Sequence, residues 1–144
     1  ARRMERLNAE TLPGGALLLV DSAPLIYVLE DKQPLAARFV PLFSRFDSGH
    51  LRLAVSTISI AEVLAGPLKA GAEDLAKRYR AALECMLVVA VDADIAESAA
   101  RLRCNHGLKL PDAIQLACAL AIDADALVTH DRDFHKVSGI RVLT

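Results

Sequence analysis

Apolar residues along this chain fall into short unbroken runs, separated by longer stretches in which they recur every three or four positions. A short continuous run bounded by turn residues reads as a strand buried on both faces, the habit of parallel sheets, and the longer spacing reads as helix. Residues 16–20, 51–55, 87–91, 126–129 and 140–143 are the predicted strands. After the first, Ser22 is placed to cap a helix with Pro24 in its opening turn, running to about Glu30. Pro34 opens a second helix with Leu35, Phe39, Leu42, Phe43 and Phe46 on one face; Pro41 predicts a kink and Ser48-Gly49 the stop. Ser56-Thr57-Ile58-Ser59 caps a third helix, expected to reach about Leu64 and to break at Gly66-Pro67. A polar helix follows at 73–84, and Asp92 and Asp94 cap another at 95–106, ended by Gly107. The last, at 110–122, is strongly apolar. Strands alternating with helices predict βαβ units and an α/β domain layered helix–sheet–helix.

With 144 residues the chain suits one domain, expected over 16–144. Residues 1–15, ending in Pro13-Gly14-Gly15, read as a short and partly disordered N-terminal extension. Hydrophobic residues reach 53% while aromatics are 4% and Trp is absent, so the core must pack by aliphatic interdigitation. An apolar surplus of this size points to a patch kept for a partner. The net charge of −1 supplies no general attraction for nucleic acid, so any basic face must be local, drawn from arginines and lysines such as Arg38, Arg45, Arg52 and Arg101. Cys85, Cys104 and Cys118, odd in number and set among apolar neighbours, read as buried thiols in a reducing compartment. No apolar stretch is long enough for a membrane span, and Asp21 interrupts the run that follows Arg2, Arg3 and Arg6, which argues against a secretory signal. A cytoplasmic protein is the expectation.

Candidate chemistry comes from four acids. Asp21 closes the first strand, Glu62 lies on the helix after the second, Asp112 sits in the first turn of the apolar helix, and Asp131 follows the fourth strand. Open α/β sheets bind ligands beyond the carboxyl ends of their strands, where strand order reverses. Carboxylates gathered there repel one another unless a cation balances them, and hard oxygen donors suit Mg²⁺ or Mn²⁺. One or two such ions can supply what phosphodiester hydrolysis needs: a deprotonated water, charge stabilisation on the phosphoryl oxygens and help for the leaving oxygen.

The blocks Val20-Asp21-Ser22, Ala61-Glu62-Val63-Leu64, Leu110-Pro111-Asp112-Ala113-Ile114-Gln115-Leu116-Ala117 and Val128-Thr129-His130-Asp131-Arg132-Asp133-Phe134 together resemble the PIN-domain family, most closely its VapC-type toxins of bacterial and archaeal toxin–antitoxin modules. The resemblance runs from about Ala16 to Thr144. It implies a three-layer α/β/α sandwich with a central, mainly parallel sheet. It also implies ribonuclease activity with Mg²⁺ or Mn²⁺, homodimers, and inhibition by a cognate antitoxin. Carried over position by position, the catalytic acids fall on Asp21, Glu62, Asp112 and Asp131, with Asp21, Asp112 and Asp131 as metal ligands and Asp21 central. Asp133 competes with Asp131 as the fourth acid, and Ser22 and Thr129 are auxiliary candidates for binding water or phosphate. His130 fills a variable position of the last block, and the N-terminal extension departs from members that begin at the first strand.

Other readings compete. His130-Asp131-Arg132-Asp133-Phe134-His135 mixes nitrogen and oxygen donors that would suit Zn²⁺, but lacks helical His-x-x-x-His spacing. No Gly-x-Ser-x-Gly elbow or glycine-rich phosphate loop is present. An aspartyl-phosphate phosphatase wants a second Asp two residues after the first, where this chain has Ala23. A catalytically inactive binding module that retains the acids is the rival from another class. For control, the first two helices, through Leu25, Val28, Leu29, Phe39 and Phe43, are expected to form with the helix at 59–64 a groove for an amphipathic partner segment. The same partner could place an Arg or Lys among the acids.

Overall fold

Alternating residues of the first strand, β1 (Leu17–Val20), serve two cores at once. In the computed structural model, which describes residues 4–144, Leu17 and Leu19 belong to one apolar cluster, and Leu18 and Val20 to the other. The remaining strands are β2 (Arg52–Ser56), β3 (Leu87–Val89), β4 (Ala126–Val128) and β5 (Arg141–Leu143). All neighbours pair in parallel, in the order β3-β2-β1-β4-β5. Chain order therefore runs outward from β1 in one direction through β2 and β3, and in the other through β4 and β5. The reversal lies between β1 and β4, where Leu19 faces Leu127 and Val20 faces Val128.

The helices are α1 (Ser22–Leu29), α2 (Leu35–Asp47), α3 (Thr57–Lys69), α4 (Glu73–Glu84), α5 (Ala93–His106) and α6 (Leu110–Ala121). Leu25 of α1, Phe39 and Leu42 of α2, Val63 of α3, and Tyr79 and Leu83 of α4 cover one face of the sheet. Ile95 and Ala99 of α5, and Ala113, Leu116 and Ala117 of α6, cover the other, joined by Phe134 and Val137. The fold is a three-layer α/β/α sandwich. Each fully buried Leu, Val or Phe contributes on the order of 1.5–3 kcal/mol of transfer free energy, and such residues dominate both cores. No helix among the described residues is long and apolar enough to cross a membrane.

Two local expectations are corrected. Asp21, not Ser22, is the N-cap of α1, its Oδ1 accepting the Ser22 N–H at 2.8 Å; the Ser22 hydroxyl is spent on other side chains. The helix α3 does not end near Leu64 but runs through Gly66-Pro67 to Lys69. Pro67 falls in its last turn, where it deletes one backbone bond, and is buried. The helix α2 likewise spans its interior Pro41.

The described part of the segment before residue 16 carries structure. Glu5 and Leu7 donate backbone N–H groups to Val142 O (2.8 Å) and Thr144 O (2.7 Å), Thr144 returns one to Glu5 O at 2.8 Å, and Ala9–Thr11 forms a 3₁₀ turn. The thiol expectation holds for Cys118 alone, which is buried and whose pKa burial pushes up to about 11. Cys85, at the end of α4, and Cys104, on α5, are exposed.

Candidate active site

The carboxyl edge of the sheet at the reversal point is where the candidate acids arrive. Asp21 follows β1, and its backbone N–H donates to Val128 O of β4 at 2.8 Å, tying the two strand ends together. The residue is 9% exposed. Besides the cap bond from Ser22, its Oδ2 accepts the Thr129 hydroxyl at 2.7 Å, a short charge-assisted bond. Thr129 Oγ1 in turn accepts the Asp131 N–H at 3.0 Å, and Asp131 Oδ1 accepts the Asp133 N–H at 2.9 Å. That last bond caps the 3₁₀ helix Arg132–Lys136, an element the apolar pattern did not show. Asp21, Thr129, Asp131 and Asp133 thus form one hydrogen-bonded series.

A second series fixes Glu62 on α3. Ser22 Oγ donates to Glu62 Oε1 at 3.0 Å and lies 2.9 Å from Ser59 Oγ, which accepts Gln115 Nε2 at 2.8 Å. Direction follows from chemistry. The Glu62 carboxylate only accepts and the Gln115 amide nitrogen only donates, so the protons point from Gln115 through Ser59 and Ser22 to Glu62. Ser59 itself is held by its N–H bond to Ser56 Oγ, the N-cap of α3, at 3.2 Å. Ser59 and Gln115 were not singled out from the sequence. Their signal is spacing: Ser59 lies three residues before Glu62 and Gln115 three after Asp112, so each shares a helix face with an acid.

Asp112, in the first turn of α6, is 7% exposed, and its Oδ2 is buried with no hydrogen-bond partner among the described residues. Oxygen atoms of Asp112, Asp131 and Asp133 all lie within 4.8 Å of one another. The one nearby cation in an ion pair among the described residues is Lys109, its Nζ 3.7 Å from Asp133 Oδ2. The consequences appear in the ionisation equilibria. Burial first, then a proton shared with Asp131, then the charges of Asp131 and Asp21 lift Asp112 to about 7 against the pull of Lys109. Asp21 is also raised, chiefly by burial and further by Glu62 and Asp131, while its bonds from Thr129 and Ser22 oppose the rise.

All of the expected residues, Asp21, Ser22, Glu62, Asp112, Thr129, Asp131 and Asp133, therefore gather at one edge. Asp131 and Asp133 both approach Asp112, whereas Asp21 stands outside that three-acid group and is joined to it through Thr129. The histidines of the zinc reading are engaged elsewhere, His130 with the Tyr27 hydroxyl (3.1 Å) and His135 with Arg132 O (2.7 Å). A buried carboxylate oxygen without a donor needs either a proton or a cation, and three converging oxygen donors with no nitrogen or sulfur suit a hard divalent ion. The residues present fit Mg²⁺ or Mn²⁺.

The family model for the PIN domain matches residues 18–140. A toxin–antitoxin complex from Klebsiella pneumoniae is similar at 30% identity and TM-score 0.69, the match covering 88% of this chain and 96% of that one. VapBC2 from Rickettsia felis, solved bound to a DNA fragment from its promoter, is similar at 16% identity with the same coverages and TM-score 0.69. The Mycobacterium tuberculosis toxin VapC20, described as cleaving the sarcin–ricin loop, gives 16% identity and TM-score 0.66 over 81% of this chain and 92% of that one. At 16% the last two speak for the fold alone. No curated protein matches the sequence.

Proposed function

This chain belongs to the PIN-domain family, and from that premise we propose that it is a divalent-metal-dependent endoribonuclease, the toxin of a toxin–antitoxin pair acting in the cytoplasm. The observation that carries the reading is the Asp112 carboxylate. One of its oxygens is buried without a partner among the described residues, beside Asp131 and Asp133, at the sheet edge where Asp21 and Glu62 also end. In this reading Asp112 and Asp131 hold the ion with Asp21, and Asp133 supplements or replaces Asp131. A divalent ion there supplies positive charge to the phosphoryl oxygens and acidifies a water. The chain's own groups do the rest. Thr129 and the Ser22 N–H fix both oxygens of Asp21, so its rotamer is set before substrate arrives. Glu62 is exposed and oriented by Ser22, which suits a carboxylate that takes a proton from the attacking water at Oε. The oxygen-only donors favour this over a zinc site, and Ala23 over the phosphatase.

The toxin assignment draws on the 30% identical neighbour, itself a toxin–antitoxin complex, and on an apolar cavity of about 300 Å³. Leu25, Val28 and Leu29 of α1, Phe43 and Phe46 of α2, and Leu83 and Met86 from α4 and its end line it. The anticipated groove is thus closed by α4 rather than by α3, and Phe39 is wholly buried in the core instead of lining it. A homodimer belongs to the same reading, and exposed Leu110 and Leu120 on α6 offer a face for it.

The test is cleavage of generic single-stranded RNA by the purified chain in excess EDTA, and again with Mg²⁺ or Mn²⁺ restored. Cleavage is expected only with metal. Undiminished cleavage in chelator rejects the metal mechanism. RNA binding without cleavage under any divalent ion selects the inactive binding module instead.

A further inference from the structure

Beside the carboxylates lies a cavity of about 660 Å³ of opposite character. It is lined by Arg38, His130, Arg132 and His135, with Met4 and Thr144 completing the wall, so among the described residues no Asp or Glu side chain lines it. Its position is dictated by the chain: Asp131, whose carboxylate turns toward Asp112 and Asp133, lies between His130 and Arg132, so the acidic centre and the basic cavity meet along one tripeptide. Neither Arg38 nor Arg132 is ion-paired among the described residues, whereas Arg45, Arg80, Arg101 and Arg141 each contact a glutamate. The His130 ring is held in place. Its Nδ1 lies 3.1 Å from the Tyr27 hydroxyl, and the rings of Tyr27 and Phe39 meet it at steep angles, with centroids 5.6 Å and 6.2 Å away. When Tyr27 donates to Nδ1, Nε2 carries the hydrogen and is left as a donor.

An acidic centre repels the polyanion it is to cut, and a chain of net charge −1 has no general field to overcome that. Cations must be placed locally. We infer that this cavity seats the sugar–phosphate backbone of the RNA strand flanking the scissile bond, with Arg38 and Arg132 on phosphate oxygens and His130 Nε2 as a further donor. The inference rests on the ribonuclease reading and adds to it the residues that position the strand. An acidic peptide of a partner protein would meet the same cations, but two of the lining residues, His130 and Arg132, directly flank Asp131 of the acidic centre, which favours the substrate.

The experiment measures binding of a short fluorescein-labelled oligouridylate to the full chain in EDTA across a salt series, for wild type, Arg38→Gln, Arg132→Gln and the double variant. Both arginines are exposed, so the variants are expected to fold, and circular dichroism checks it. Single strands lose affinity with a log–log slope of about 0.7 per phosphate contact. The double variant should therefore lose roughly 1.4 from the slope and bind about 25-fold more weakly near 0.1 M salt, converging with wild type near 1 M. Arg101→Gln, on α5 and paired with Glu97, should leave the slope unchanged. With metal restored, the double variant should raise KM far more than it lowers kcat. A wild type that binds and cleaves RNA while the double variant keeps the wild-type slope overturns the inference but leaves the ribonuclease reading standing. The same holds if Arg38→Gln and Arg132→Gln weaken only the binding of the partner protein. A wild type that neither binds nor cleaves RNA overturns both.

Discussion

Replacing Asp112 with Asn isolates the electrostatic cost that metal is proposed to relieve. The substitution keeps the shape of the side chain, removes its charge, and gives Asp131 an N–H to accept. Lifting a carboxyl from 3.8 to about 7 corresponds to roughly 4 kcal/mol between its two ionisation states. Part of that belongs to the proton shared with Asp131, so about 2 kcal/mol is the expected gain at neutral pH, a rise in Tm of roughly 4–8 °C for a domain of this size. The sign follows from proton counting. Between about pH 4 and pH 7 the folded, metal-free chain holds a proton on Asp112 that the unfolded chain has released. Stability therefore falls as pH rises through that window, and is unaffected by this group below it. Thermal unfolding by circular dichroism in EDTA, from about pH 5 to pH 8, should show wild type losing stability relative to Asp112→Asn. Mg²⁺ should restore wild type at the alkaline end, because the ion replaces the proton, and should do little for the variant. Parallel pH profiles for the two proteins in EDTA would refute the reasoning, since the buried oxygen of Asp112 would then carry no penalty.

Three further outcomes are expected. Asp21→Asn should lower RNA cleavage by about two orders of magnitude or more while leaving stability equal or higher; full cleavage by the pure variant removes Asp21 from the site. Ser22→Ala withdraws the hydroxyl that orients Glu62 and leaves the Ser59 proton without its acceptor, costing about 1–2 kcal/mol and roughly tenfold in kcat; an unchanged pH–rate profile and kcat would deny Glu62 its role. Phe43→Ala, in the apolar cavity, should weaken capture of the small protein encoded next to this chain's gene by about tenfold without altering RNA cleavage; equal capture, seen by co-purification, would move the docking surface elsewhere.

The two central strands were the most legible elements because burial on both faces leaves no polar position inside them: the run at 16–20 contains β1, and 126–129 contains β4. Helix ends were less so. The N-cap of α1 fell on Asp21 rather than Ser22 because either side chain can satisfy the first free N–H, and the choice depends on what else each meets. Pro67 did not stop α3: it lies in the last turn of the helix, where it deletes a single backbone bond, and it is buried. Local composition likewise misjudged Cys85 and Cys104, whose apolar neighbours face inward while the thiols face out. Asp21 and Asp131 were legible as residues that follow strands, Glu62 and Asp112 as acids on apolar helices. Their helpers Ser59 and Gln115 were not, because 56 residues separate them in the chain and only the sheet between brings them into contact.

The two hydrogen-bonded series divide the site's negative charge unequally. Asp21 receives a hydroxyl and an amide, Glu62 a hydroxyl backed by a directed run of donors, and these bonds hold the ionised forms in place. Asp112 Oδ2 receives no donor among the described residues, although the residue is as buried as Asp21. Had the acids served only to cap helices and turns, both buried ones would be satisfied, because an unpaired buried carboxylate is the costliest arrangement available. Only Asp21 is: donors meet it and Glu62 on the arm that orients, and none among the described residues meets Asp112 Oδ2, at the point where Asp131 and Asp133 converge. A fold retains such a penalty where the missing partner arrives from outside. Oxygen donors alone at that point make a divalent cation the partner that fits.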